Sequence, residues 1–183
     1  MFTTKRFLSV NKFSRPGTKL SAVRGIVVHY TGNAGSSALQ NRDYFESLKN
    51  QSEENARYAS AHFVVGLQGE VMQCLPTNEV AYHAGAKKYV SGIQDKLGSY
   101  PNASTIGIEM CHPCADGRFT KETYESAVEL SALLLRKFQL NPLTDLYRHF
   151  DITKKLCPKF FVENPSAWNA FRADVEKFLI GVL

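Results

Sequence analysis

The sequence predicts an α/β domain, a β-sheet covered by helices. Three observations carry that prediction. Short β-branched runs bounded by turn residues occur at Arg24 to Tyr30 and Thr105 to Cys111. Apolar residues recur at helical spacing over two longer stretches, Tyr124 to Phe138 and Trp168 to Leu179. The two kinds of segment alternate along the chain, which favours one sheet layered with helices. Chemistry in such folds concentrates at strand ends and in the loops beyond them.

Arg24 to Tyr30 reads as a buried strand, bounded by Arg24-Gly25 and by Thr31-Gly32-Asn33. A polar, weakly amphipathic helix is expected from about Ser37 to Asn50, with Leu39, Phe45 and Leu48 facing inward. Ala61 to Leu67 and Glu70 to Leu75 form a hairpin pattern joined through Gln68-Gly69. Thr105 to Cys111 is the next strand; alternation sends Ile106, Ile108 and Met110 to one face and Thr105, Gly107, Glu109 and Cys111 to the other. Thr120 is a natural N-cap for a helix carrying Tyr124, Ala127, Val128, Ser131, Leu134, Leu135 and Phe138 inward, stopped by Asn141-Pro142. A short strand follows at about Leu146 to His149. The last helix starts with Asn164 as cap and Pro165 in the first turn, and buries Trp168, Phe171, Val175, Phe178 and Leu179.

The 183 residues suit one domain, 1–183, with a core over about 24–180, and no Pro/Gly/Ser-rich linker divides them. With 44% hydrophobic and 21% charged residues, disordered, collagen-like and coiled-coil chains are excluded. No apolar run approaches the roughly 18 residues of a membrane span, and the opening stretch lacks the apolar core of a signal peptide. The net charge of +5 fits attraction to a polyanion such as a phosphate-rich cell wall. Adjacent lysines occur only at Lys87-Lys88 and Lys154-Lys155, and basic and aromatic residues do not interleave as a nucleic-acid groove requires. Four cysteines, Cys74, Cys111, Cys114 and Cys157, are too few for a disulfide scaffold of this length.

His149 and Cys157 lie eight residues apart, joined by a polar loop that Pro158 stops. Imidazole and thiolate suit zinc, and a catalytic zinc site takes three protein ligands with the fourth position open. His29, at the end of its own strand, is the natural third ligand. The alternative is that all three are satisfied core or surface residues. Glu109 is a carboxylate among apolar strand residues, which is costly unless paired or used. Either it faces water on an edge strand, or it is a base whose proton affinity is set by burial and a nearby cation. Cys111-His112-Pro113-Cys114 has the spacing of a redox pair, but no helix follows at once, so a thiol oxidoreductase ranks last.

These residues fall into ordered motifs: Val27-Val28-His29-Tyr30-Thr31, Ser60-Ala61-His62-Phe63-Val64-Val65, Ala81-Tyr82-His83-Ala84-Gly85, Ser104-Thr105-Ile106-Gly107-Ile108-Glu109, and Arg148-His149-Phe150-Asp151-Ile152-Thr153 with Lys155-Leu156-Cys157-Pro158. Over about Gly25 to Trp168 the chain resembles the zinc-dependent N-acetylmuramoyl-L-alanine amidases of the type 2 class, relatives of the phage amidase-lysozymes and peptidoglycan recognition proteins. The resemblance implies a single domain with a central mixed sheet flanked by helices in three layers. It implies Zn2+ on His29, His149 and Cys157, and hydrolysis of the bond between N-acetylmuramic acid and L-alanine. Lys155 matches a lysine that stabilises the transition state in several members.

Many relatives have a catalytic tyrosine where this chain has Ala61. The endolysin and prophage branch instead carries a glutamate in the Gly-Ile-Glu strand, so Glu109 is the expected acid/base and Ala61 is expected to leave room near the metal. His83 resembles a substrate-contacting histidine, and Asn33 is expected to line the groove. His62 is read as structural and His112 as part of a surface loop. The implied partner is peptidoglycan, with no nucleic acid, no membrane insertion and a monomeric state. The implied route is synthesis in the cytoplasm followed by phage-type release to the wall, or another export route. Members lacking the cysteine bind peptidoglycan without cutting it; Cys157 favours the enzyme over such a binding module. A cytosolic muropeptide-recycling amidase is the variant within the same chemistry.

Overall fold

Residues 3–181 are described by a computed structural model, in which six strands make one mixed sheet. They are β1 (Thr3–Lys5), β2 (Gly25–Tyr30), β3 (Phe63–Val65), β4 (Val71–Gln73), β5 (Thr105–Met110) and β6 (Leu146–Arg148), in the order β1-β4-β3-β5-β2-β6. Strand β2 runs parallel to both its neighbours, β5 and β6; β3 is parallel to β5 and antiparallel to β4. Flanked on both edges, β2 is covered on both faces too, and its residues from Gly25 to His29 are all buried. That explains a continuous apolar run rather than an alternating one.

Alternation along β5 and β2 sorts the two faces. Ile26, Val28, Ile106, Ile108 and Met110 pack against α3 (Lys121–Phe138) and α6 (Pro165–Leu179) through Ala127, Leu134, Leu135, Trp168, Phe171 and Val175. Helix α3 starts where expected, with the Thr120 hydroxyl accepting from the Thr123 N–H at 3.0 Å. Asn164 does stand before α6, but its side-chain amide donates to the Phe160 carbonyl and caps no N–H of that helix. The other face carries Val27, His29, Gly107 and Glu109, beneath α1 (Ala38–Ser47), α2 (Ile93–Leu97) and α4 (His149–Thr153). This second face holds the chemistry.

Several expectations need correction. Leu39 points to solvent, because the inward stripe of α1 runs through Ala38, Asn41 and Phe45 and on to Leu48, about 100° away from it. Strand β6 ends at Arg148, and His149 opens α4 instead of closing the strand. Strand β1 and the five-residue helices α2, α4 and α5 (Lys159–Glu163) are too short to show a period. The buried set also begins before residue 24: Leu8 and Phe13 are 1% and 4% exposed, with Leu8 packed against Leu75 and Cys74. Among the described residues, no helix is long and apolar enough to cross a membrane.

Glu46 of α1 ties that early segment down. Its carboxylate accepts from the Ser9 N–H at 2.9 Å, the Ser9 hydroxyl at 2.7 Å and Lys49 Nζ at 2.6 Å. Burial pushes the carboxyl up, but Lys49, Ser9 and Arg42 outweigh it and hold the group down at about 2, against an ordinary 4.5. Its stabilising contribution is therefore present above pH 4.5 and lost as pH falls through about 2. Glu46→Gln should lower the melting temperature at neutral pH by about 3–6 °C, corresponding to about 1–2 kcal/mol. The difference from the parent should close toward pH 2; a gap that persists there would assign the effect to packing instead.

Candidate active site

His29 is the penultimate residue of β2, and in the parallel register its backbone partner is Glu109 of β5. Both side chains leave the same face at the same level. His149 arrives from the other side of β2, on the turn from β6 into α4. Asp151 shapes that turn, accepting from the Arg148 N–H at 2.8 Å and from its guanidinium at 2.7 Å, while Arg148 also donates to the Phe161 carbonyl. Arg148 and Asp151 therefore set the direction of the histidine between them. Cys157 is brought in by the loop after α4, which the Phe150 N–H closes onto the Cys157 carbonyl at 2.9 Å.

His29 Nδ1 stands 3.1 Å from His149 Nδ1 and 3.7 Å from Cys157 Sγ. The three donor atoms lie within 4.8 Å of one another, and their side chains are only 1%, 5% and 2% exposed. A tetrahedral zinc ion with nitrogen ligands at about 2.0 Å and sulfur at about 2.3 Å separates N from N by about 3.3 Å and N from S by about 3.5 Å. The separations of His29 from His149 and from Cys157 are close to these values, so the residues fit such an ion. Burial, then His149, His83 and Lys155, hold His29 well below the ordinary imidazole value; burial and Lys155 bring His149 down to about 4. Burial, helped by Glu109, pushes the Cys157 thiol above its ordinary range. Two imidazoles held neutral and a thiol, all buried, are a donor set that could hold a metal ion.

The site opens on a cavity of about 250 Å³. Glu109 lines it, half-buried, with Oε2 enclosed and without a hydrogen-bond partner among the described residues. Burial raises its carboxyl to about 8, with Lys155 acting the other way. Lys155 is exposed at the cavity wall. His83 lines the cavity from the loop before α2 and is 8% exposed. Asn33 is not brought in: it sits exposed in the turn after β2, its carbonyl accepting from the Ser36 hydroxyl.

Ala61 is fully buried in the apolar cluster with Leu8, Ala38 and Phe45, while Ala59 and Ser60 face the cavity in its stead. His62 is structural, its two ring nitrogens engaged by the Glu79 carbonyl and the Gly107 N–H. His112 belongs to a loop but not to the surface: it is 2% exposed, lies against Tyr30 and donates from Nδ1 to the Cys114 carbonyl. All four cysteines are free thiols; Cys111 is buried with its thiol raised to about 12, and Cys114 is exposed.

Sequence reasoning missed the far wall, where Tyr44, Tyr58, Tyr82 and Arg57 line the cavity. The Arg57 guanidinium lies 5.8 Å from the Tyr44 ring centroid, and Tyr58 meets Tyr82 edge-on at 5.6 Å. The available signal was the pair Arg57-Tyr58 just before the hairpin.

Comparison with known proteins identifies the family. A family profile described as N-acetylmuramoyl-L-alanine amidase matches residues 19–160. The N-acetylmuramoyl-L-alanine amidase CwlL of Bacillus licheniformis is 41% identical over 179 residues, covering 96% of this chain and 47% of CwlL. The amidase BlyA of Bacillus subtilis is 37% identical over 188 residues, covering 97% of this chain and 48% of its own. The chain thus spans about half the length of the curated relatives it matches. The solved catalytic domain of XlyA superposes with a TM-score of 0.72 at 28% identity, covering 96% of this chain and 99% of that one. The catalytic domain of PlyG, at 20% identity and a TM-score of 0.76, shares the fold. By sequence, fold and the convergence of His29, His149 and Cys157, the chain belongs to the N-acetylmuramoyl-L-alanine amidase family.

Proposed function

We propose that the chain hydrolyses the amide bond between the lactyl group of N-acetylmuramic acid and L-alanine in peptidoglycan, with zinc held by His29, His149 and Cys157. The observation that carries this reading is a buried two-nitrogen, one-sulfur donor set opening on the same cavity as the enclosed Glu109 carboxylate. Imidazole and thiolate favour zinc over the oxygen-loving cations. When bound, zinc activates a water molecule and polarises the amide carbonyl.

The chain's own groups do the rest. With a cation on the three ligands and Lys155 favouring its ionised form against the effect of burial, Glu109 Oε2, free of other partners, takes the proton from the water as its oxygen adds to the carbonyl carbon. The C–N bond then breaks, and Glu109 passes the proton to the departing nitrogen, which leaves as the α-amino group of L-alanine; the lactyl carbonyl becomes a carboxylate. Lys155, at the cavity wall, faces the negative charge that develops on the carbonyl oxygen, where preorganised donors contribute about 3–4 kcal/mol. Tyr44, Tyr58 and Tyr82 offer flat faces to the sugar and stem peptide.

A digest of purified peptidoglycan tests the reading. New alanine amino termini should appear without new reducing sugar ends, vanish with a chelator and return with zinc. New reducing ends would mean a glycosidase. Sedimentation with the wall without release of either group would mean a binding module.

A further inference from the structure

We infer that His83 is a positioning residue that fixes the tautomer and ring orientation of His29, as the first link of a directed hydrogen-bond chain ending in the backbone. The inference rests on the metal-centre reading above. His29 turns Nδ1 toward His149 and Cys157, so Nδ1 is the ligand atom and carries no proton. A neutral imidazole must then hold its proton on Nε2, which lies 3.1 Å from His83 Nδ1. His29 donates, so His83 Nδ1 accepts and the His83 proton sits on Nε2. That nitrogen lies 3.1 Å from the Thr105 hydroxyl, with the Thr105 carbonyl at 3.4 Å. The hydroxyl in turn donates to the Pro101 carbonyl at 2.8 Å. A carbonyl cannot donate, so the chain has one allowed direction, and each of its three donors has an acceptor.

The surroundings hold His83 in that role. Its own N–H and that of Ala84 both donate to Asn102 Oδ1, at 3.3 and 2.8 Å, pinning the loop. The ring lies so close to β5 that a Cβ at position 107 would stand 2.6 Å from His83 Cγ, so the strand needs glycine there. Thr105 is fully buried and His83 nearly so, so the chain of donors runs into the protein interior. Sequence reading made His83 a contact of the substrate; the geometry points instead to action through His29. Partners of metal-bound histidines are typically worth about 10–100-fold in metal affinity.

Two measurements test this. In the zinc-loaded protein labelled with ¹⁵N-histidine, long-range ¹H–¹⁵N spectra should show His29 and His83 each protonated on Nε2 alone. A proton on His83 Nδ1 would overturn the chain. By chelator competition, His83→Leu should bind zinc about 10–100-fold more weakly. His83→Asn, whose amide oxygen stands where Nδ1 stood, should come within about threefold of the parent. Unchanged affinity in His83→Leu would refute the inference. Should that variant fail to fold, Gly107→Ala keeps the imidazole but crowds its ring, and should also lose about tenfold; parental affinity there would refute the inference equally. A parent protein that binds no zinc would instead overturn the metal reading itself, and this inference with it.

Discussion

Cys157→Ser is expected to bind zinc more than about 100-fold more weakly and to release no alanine termini above background. The thiol is 2% exposed, and burial already raises it above its ordinary range, so only a cation in the site makes it an anion. A serine hydroxyl gives up its proton far less readily than a thiol and cannot take the same part. The substitution changes one atom, so the metal-free melting temperature should move by only a few degrees. With free zinc at 100 times the dissociation constant, the parent should gain about 2.7 kcal/mol, a rise of roughly 5–10 °C, and the variant almost none. Sedimentation with cell walls should be retained. Undiminished turnover in Cys157→Ser would remove the cysteine from the ligand set.

Glu109→Gln is expected to keep zinc and lose about 10²–10⁴-fold in turnover, because an amide accepts no proton. The same substitution should stabilise the metal-free protein, and the sign depends on pH. Burial raises the folded carboxyl to about 8 from an ordinary 4.5. The fold thus favours the protonated acid: full stability holds below pH 4.5 and declines as pH rises through about 8. Glutamine is neutral throughout, so the variant should match the parent in acid and exceed it near pH 9 by on the order of 2–4 kcal/mol. Calorimetry of the chelated proteins across that range checks the stability arm. Near-parental turnover would move the base elsewhere.

Much of this was legible in the sequence because the decisive elements are long or repetitive. Strands β2 and β5 announce themselves as β-branched runs, and α3 and α6 as periodic stripes many turns long. His29, His149 and Cys157 were legible from residue chemistry together with ordered motifs. The rest was hidden for physical reasons. Three residues of β1, with little of their surface buried, leave no pattern. His112 looked like a surface residue beside Pro113, yet Tyr30 covers it. The tyrosine wall depends on how helix α1 and two loops come together, and the contact between His29 and His83 joins residues 54 apart. No spacing rule reaches that far.

The sheet order also sets a timetable. Strand β2 is seated between β5 and β6, both of which follow it in the chain, and the two histidines proposed as ligands are 120 residues apart. During synthesis from the N-terminus, at about 5–20 residues per second, His29 waits roughly 6–24 s before His149 is even made. A solitary imidazole on a growing chain has no partners with which to chelate, so no site for the proposed ion exists until Cys157 has followed.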